Sequence, residues 1–436
     1  MSPNASRAPG PADAGSTRTL PYAEDILPTE KASLPVVVWM AVAQFGIFLG
    51  LLAPVTVSLA LKVQDLVPAA EAPGALGMVL SVAAVMALVA NPVVGRLSDR
   101  TTSRWGRRRP WMIAGCAVFI LGMVVIATAG SVAMVLVGWL LGQLGDNMIL
   151  APLLTTIADQ VPEFQRGTVS ANVGIMQNVG ILAAAYVASW FVHNMFLLFV
   201  VPAVIATITV VVYCIVLPDR QVRVHAEPGG WMKLLRTFWV NPLEFPDFGW
   251  AWVSRFCMIL SSFLFITFRL FFLQHRVELT TDEAVQAITA GVLIYTIALV
   301  IAAKIGGWLS DRYRRRKVFV IATAALFGVG TYLLAHVTSL SGYYLVEVLM
   351  GATYGIYYAV DMALVVDVLP NPDDAAKDLG VMNIANALPQ SLAGALGGWL
   401  LGLGSTEGTN YTLLFLVAGI VAVLGAAAIL PIKKVR

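Results

Sequence analysis

Twelve long apolar runs divide this 436-residue chain: 34–62, 75–98, 109–129, 132–159, 168–191, 194–217, 247–273, 284–310, 316–336, 340–368, 378–402 and 409–431. Each is long enough to cross the ~30 Å hydrocarbon layer of a bilayer as an α-helix. A backbone inside that layer has no water to bond to, so a run of this kind closes its own hydrogen bonds as a helix. Hydrophobic residues make up 58% of the chain and charged ones only 12%, against about 25% charged in soluble proteins. The expected fold is an all-α membrane protein of twelve transmembrane helices.

Lys and Arg collect on the cytoplasmic side of membrane helices. With the N-terminus placed in the cytoplasm, 23 of the 28 basic residues fall in cytoplasmic segments. Lys62 and Arg276 fall outside, and Arg255, Arg269 and Lys304 lie within the runs. Both termini are then cytoplasmic, in a multi-pass protein of the cell (inner) membrane. Residues 1–33 are polar, rich in Pro, Ala and Ser, and lack the apolar stretch of a secretory signal; they read as a disordered cytoplasmic tail. The polar segment 218–246 separates a first six-helix unit, 34–217, from a second, 247–431, with a short tail at 432–436. In that segment Trp231, Leu234, Leu235, Phe238 and Trp239 recur at helical spacing beside Lys233 and Arg236. That pattern fits an amphipathic helix on the membrane surface, with an irregular linker as the alternative.

The two units repeat one another. Gly95-Arg96-Leu97-Ser98-Asp99-Arg100 returns as Gly307-Trp308-Leu309-Ser310-Asp311-Arg312, an offset of 212. Asp159 and Pro162 return as Asp367 and Pro370, an offset of 208. Each is followed by a Gly (Gly167, Gly380) and, ten residues on, a Gln (Gln177, Gln390). Two similar bundles are expected, with any substrate held between them near the membrane midplane.

The most distinctive local pattern is the loop 95–110, with Gly95, Asp99, Arg100 and then Gly106-Arg107-Arg108-Arg109-Pro110. Gly95 permits close helix contact, and Asp99 can pair with an Arg or cap a helix N-terminus. Such a cluster suits a gate that breaks and reforms as the bundles rock; fixing topology by positive charge is the plainer reading. The loop resembles the signature of the major facilitator superfamily. Its longer spacing, with Ser103-Arg104-Trp105-Gly106 and Arg109-Pro110, is similar to that of the glycoside–pentoside–hexuronide cation symporters and plant-type sucrose/proton symporters. The stretch Asn147–Gly167 resembles the same branch. The resemblance implies the major facilitator fold of two six-helix bundles. It also implies gating by Gly95, Asp99, Arg100, Arg107, Arg108, Asp311 and Arg312. Gln143 stands where the sucrose-type symporters carry an acid, with Asp146 on the same helical face, and Leu154 stands where they carry an Arg. The acids that the melibiose-type branch uses on its second helix are missing from 75–98, so sodium coupling of that kind is not expected.

Ionisable groups inside spans cost about 3 kcal/mol or more at the helix centre and mark function by default. Six stand out: Asp146, Arg255, Arg269, Lys304, Glu347 and Asp361. A buried carboxyl without a cation can load and release a proton near neutral pH, which makes Asp146 the first choice as proton carrier and Asp361 its rival. A salt bridge from Asp146 to the other half is the alternative. Glu347, Tyr354, Tyr357, Tyr358 and Asp361 share one helical side; tyrosine rings can pack against a sugar, although such stripes are often packing alone. Glu347, near the outer end, reads equally as solvated. Gln44, Gln143, Asn147, Gln177, Asn386 and Gln390 are amides suited to a polyhydroxy ligand or to interhelical hydrogen bonds. Arg255 and Arg269 are expected to snorkel to opposite membrane surfaces; if either points inward instead, an anionic substrate is favoured.

Cys116, Cys214 and Cys257 read as core residues, and no metal-ligand pattern occurs. There is no H-E-x-x-H, no G-x-S-x-G and no Gly-Lys dipeptide of a P-loop. An enzyme, a cofactor and a nucleic-acid partner are therefore not expected. The function expected is secondary transport of a small molecule, a sugar or glycoside, in symport with H+ across the lipid bilayer, with one chain as the working unit. An exporter of drugs or metabolites, or a lipid carrier, is the alternative. Convergence of Asp146 and the Tyr354–Asp361 stripe on one polar cavity would favour the first.

Overall fold

The computed structural model describes residues 28–219, 221, 241–313, 315–370, 375–404 and 409–434. The amphipathic segment at 231–239 and nearly all of the N-terminal tail lie outside the described residues. The chain forms α1 (Leu34–Gln64), α2 (Ala72–Asp99), α3 (Arg109–Ala127), α4 (Val132–Gln160), α5 (Glu163–Trp190), α6 (Met195–Val216), α7 (Pro246–His275), α8 (Thr281–Tyr313), α9 (Arg316–Leu334), α10 (Leu340–Val368), α11 (Ala375–Gly402) and α12 (Tyr411–Ala428). Among the described residues, eleven of these helices are by length and apolarity able to cross a membrane. Every expected run is a helix, and the differences are at the ends. The fifth begins at Glu163, directly after Pro162, because proline cannot continue the preceding helix but starts the next one well. α1 carries a π-helical turn over Pro54–Ser58, where Pro54 removes a backbone donor.

Short polar residues fix where helices start. Ser131, Asn194, Ser339 and Asn410 accept the backbone N–H groups of Met134, Leu197, Gly342 and Leu413, capping α4, α6, α10 and α12. Thr280 and Glu283 form a reciprocal capping box at the start of α8. These caps all lie at the end of the molecule opposite the loop 95–110. We call the loop side the basic end and the other the far end.

The repeat in the sequence is a repeat in packing. In the first six helices the main partners are α1–α5, α1–α6, α2–α4, α3–α4 and α3–α6; in the last six they are α7–α11, α7–α12, α8–α10, α9–α10 and α9–α12. Each pair reappears six helices later. The halves meet through α2 with α11 and α5 with α8, again a related pair. These meetings gather at the far end. The Gln64 side chain donates to Gln274 at 2.6 Å, Thr289 Oγ1 to the Ala185 carbonyl at 3.3 Å, and His193 lies 3.6 Å from Asp282.

Glycines make the α2–α11 crossing possible. A Cβ on Gly77 would strike the Gly394 carbonyl oxygen, and one on Gly394 would lie 2.7 Å from that of Gly77. Without a hydrophobic drive between helices in lipid, such close backbone approach is what holds them together. Gly77→Leu should therefore part the halves at the far end. Spin labels at Glu71 and Leu403, measured by pulsed electron resonance, should move several ångström apart; an unchanged distance distribution would refute the role of the crossing.

Candidate functional site

The loop expected to gate the protein is a knot of charge at the basic end. Arg108, only 3% exposed, is its centre. Its side chain reaches Asp99 at 2.5 Å, Asp159 at 2.9 Å and Ser98 Oγ at 3.1 Å. Arg107 adds a second bond to Asp159 at 2.7 Å. Asp219, just past α6, accepts the backbone N–H groups of Arg108 and Arg109 at 2.7 and 2.9 Å, capping α3. Gly106 has φ +101°, and any Cβ there would strike the Asp219 side chain. Arg100 is exposed, and a Cβ on Gly95 would meet nothing within 4 Å, so the expected close helix contact at Gly95 is not made here.

The second half ties the same knot. Arg316 bonds Asp367 at 2.5 Å, and both residues stand 208 positions after Arg108 and Asp159. Arg109 reaches the Leu217 carbonyl past α6; Lys317, again 208 later, reaches the Leu430 and Ile432 carbonyls past α12. The shift of offset from 212 to 208 is four extra loop residues between Asp99 and Arg108. Arg312 lies over the Trp308 ring at 5.9 Å; the Asp311 side chain is outside the described residues. Among the described residues, each of these bonds joins elements of one half.

Deeper in, three acids lie in the spans. Asp146 on α4 is 2% exposed; among the described residues no cation pairs with it, from its own half or the other, and its Oδ1 has no hydrogen-bond partner. Asp361 on α10 is bound instead by Arg255 of α7, whose Nε donates at 2.8 Å and whose Nη2 makes a second bond. Glu347 of α10 accepts from Arg269 at 2.9 Å. The expectation that both arginines snorkel outward is overturned: they are 6% and 4% exposed and face inward, because a carboxylate waits for each. Glu347, for which solvation was one of two readings, is fully buried.

The amides fall into separate groups. Gln44 and Gln177 meet at 3.4 Å between α1 and α5. Asn147 accepts from Asn91 at 3.0 Å and donates to the Gln143 carbonyl at 2.8 Å, joining α2 to α4. Asn386 is half-buried and Gln390 exposed on α11. On α10, Tyr354 is ringed by Tyr295, Phe327, Tyr357 and Tyr358 at 6.1–6.3 Å between centroids. Tyr357 is buried, whereas Tyr358 is 53% exposed. Asp146 and the Tyr354–Asp361 stripe lie in different halves, and among the described residues no bond joins them.

Sequence reading overlooked Asn91, Asp219 and the pairing of the arginines. The pairing had a signal. Arg255 and Arg269 are fourteen apart, as are Glu347 and Asp361; two antiparallel helices with equal spacing place both pairs in register. Asn91 is a lone amide in an apolar run, and Asp219 the first acid after the sixth span.

Twelve helices in two matching sets, each braced at the same end and carrying buried polar groups, define a polytopic membrane carrier. The family model of the major facilitator superfamily matches residues 36–294 and 278–436. The chain belongs to that superfamily. A nucleoside transporter of known structure, NupG, superposes with a TM-score of 0.70 at 17% identity, over 91% of this chain and 99% of that one. An uncharacterized symporter of Synechocystis is 47% identical over 55 residues, 13% of this chain and 9% of that one. A sucrose transport protein of rice, SUT1, is 44% identical over 48 residues, 11% of this chain. The chain aligns with only 9% of the length of these two relatives.

Removing one member of a buried ion pair strands the other and costs about 3–5 kcal/mol, whereas replacing both with apolar groups is close to neutral. Asp361→Leu should therefore lower stability by that order, and Arg255→Met with Asp361→Leu should regain most of it. Denaturant unfolding in detergent reads the difference; equal loss in the single and double variants would sink the idea that Arg255 is held by this pair.

Proposed function

We propose that this transporter carries a sugar or glycoside in symport with a proton, by alternating access. The observation that supports it most is Asp146, the one of the three deep acids with no cation among the described residues. A carboxyl so placed is costly as an anion and can shed that cost by taking a proton. Asp361 is less suited, because protonating it would leave Arg255 buried and unpaired. Asp146 is flanked on α4 by Gln143 and Asn147, and Asn147 is bound to Asn91; these amides can exchange their mutual hydrogen bonds for sugar hydroxyls. Gln44 and Gln177 offer a second such pair. Tyr354 and Tyr358, with Asn386 and Gln390, would face the ligand from the second half, and Tyr357 would support them from behind.

The sucrose transport proteins among the relatives favour a sugar as substrate. Contacts gathered at the far end fit a state open towards the basic end, which the Lys and Arg distribution assigns to the cytoplasm of the cell (inner) membrane. The knots at Asp99, Arg107 and Arg108, and at Arg316 and Asp367, then keep each unit rigid as it rocks, and one chain suffices. Binding of proton and sugar would raise each other's affinity by the same factor.

The test is flux. Purified protein in liposomes holding a pH-sensitive dye should acidify the lumen when one of a panel of disaccharides, glycosides and pentoses is added outside. Asp146→Asn should abolish that acidification while leaving exchange of labelled for unlabelled sugar. Absence of proton movement with every sugar would turn the reading towards export of amphipathic solutes.

A further inference from the structure

A groove of about 400 Å³ is cut into the α2–α11 crossing and is open along one side. Gly74, Gly398 and Ala395 form its floor, and Met78, Val82 and Trp399 stand up as its walls. Ser81, at its edge, does not make it polar. The Ser81 hydroxyl is buried and turned to the crossing, 2.9 Å from where a Cβ on Gly394 would stand.

The open side faces away from the bundle. Asn91 marks the flank of α2 that meets α4, through Asn147. By helical spacing, Met78, Val82, Val85 and Val89 lie on the other flank, and each is 44–57% exposed. On α11, Gly397 packs against Phe268 of α7, and Ala395 and Trp399 turn the opposite way. Met78 and Val82 fall inside the apolar run 75–98, and Trp399 near the end of the run 378–402. The medium outside the groove is therefore the hydrocarbon of the bilayer, with Trp399 at the level where indoles meet headgroups.

We propose that this groove binds one acyl chain of a membrane phospholipid. Apolar protein surface gains little from being covered when the surroundings are as apolar as leucine, so a smooth helix face holds no particular chain. A groove differs, because a chain lying in it touches protein on its floor and both walls, and dispersion grows with each contact. Ligand sites enclose roughly 300–1,000 Å³, and this volume is of that order. Between Gly74 and Val82 the groove follows α2 for about 12 Å. A sugar is a poor occupant, since it would give up its water for an apolar lining. A helix, about 10 Å across, is too thick to enter. The chain would touch α2 of one half and α11 of the other, beside the glycines that join them. This holds whichever solute is carried.

Photo-labelling tests it. The full-length protein is placed in bilayer nanodiscs containing a phosphatidylcholine with a diazirine midway along one acyl chain, and adducts are mapped by mass spectrometry. Met78 and Val82 should carry several-fold more adduct than Val329 and Leu333 of α9, which are equally exposed at a similar distance from the end of their run. Gly74→Leu fills the groove without a clash, because nothing lies within 4 Å of where its Cβ would stand, and leucine suits a helix better than glycine. That variant should bring Met78 and Val82 down to the level of Val329 and Leu333, whose own unchanged labelling reports that it is folded. Equal yields at the two pairs in the unaltered protein would overturn the proposal, as would enrichment at Met78 and Val82 that Gly74→Leu leaves intact. Labelling of Met78 and Val82 by a water-soluble diazirine sugar would overturn it too, since the groove would then belong to the solute.

Discussion

A charge carried into hydrocarbon has no solvent to turn to, and the placement of charge in this protein follows from that single fact. Each arginine deep in the second half is met by a carboxylate from the helix opposite. At the membrane boundary, Arg108 gathers two carboxylates and a hydroxyl, although water lies only a few ångström away. Against that background, Asp146 is the exception. It is buried as deeply as Asp361, and among the described residues no counter-ion stands beside it.

The two halves share a scaffold but not a chemistry. By the offset of 208, the interior stripe of α4, Trp139, Asp146 and Leu153, corresponds to Glu347, Tyr354 and Asp361 on α10. Acids and bulky apolar groups have changed places. One half keeps a single unpaired acid at mid-depth, flanked by apolar side chains. The other keeps a tyrosine at mid-depth, flanked by two ion pairs. Equivalent backbone positions thus carry different chemistry, a single acid on one side and two ion pairs on the other.

Much of this was legible in the sequence, for physical reasons. A helix in lipid must be long and apolar, so the twelve runs could be read directly, to within a few residues at their ends. The repeat was legible because residues at helix ends, such as Asp99, Asp159 and Asp367, are held by geometry that both halves need. The depth of the acids was legible as well. What the sequence could not announce was partnership between helices. Arg255 and Asp361 are 106 residues apart, and long side chains can reach a surface or a partner equally well; only the matching intervals of fourteen hinted at the choice. The loop 95–110 announced its charges but not their partners; the bonds described close within the first half, where Asp219 returns from the end of α6 to meet the start of α3.

That inward closure has a consequence for how the molecule could be taken apart. Each set of six helices ends in its own fastening: Asp219 and the Leu217 carbonyl hold α3 in the first, and the Lys317 side chain holds the Leu430 and Ile432 carbonyls in the second, where Asp247 also grips the backbone of Lys433 and Lys434. Among the described residues, neither fastening borrows a residue from the other set. A gene cut within the segment joining them would yield two polypeptides, each already sealed at its margins, which could find one another in the bilayer through the glycine crossing of α2 and α11.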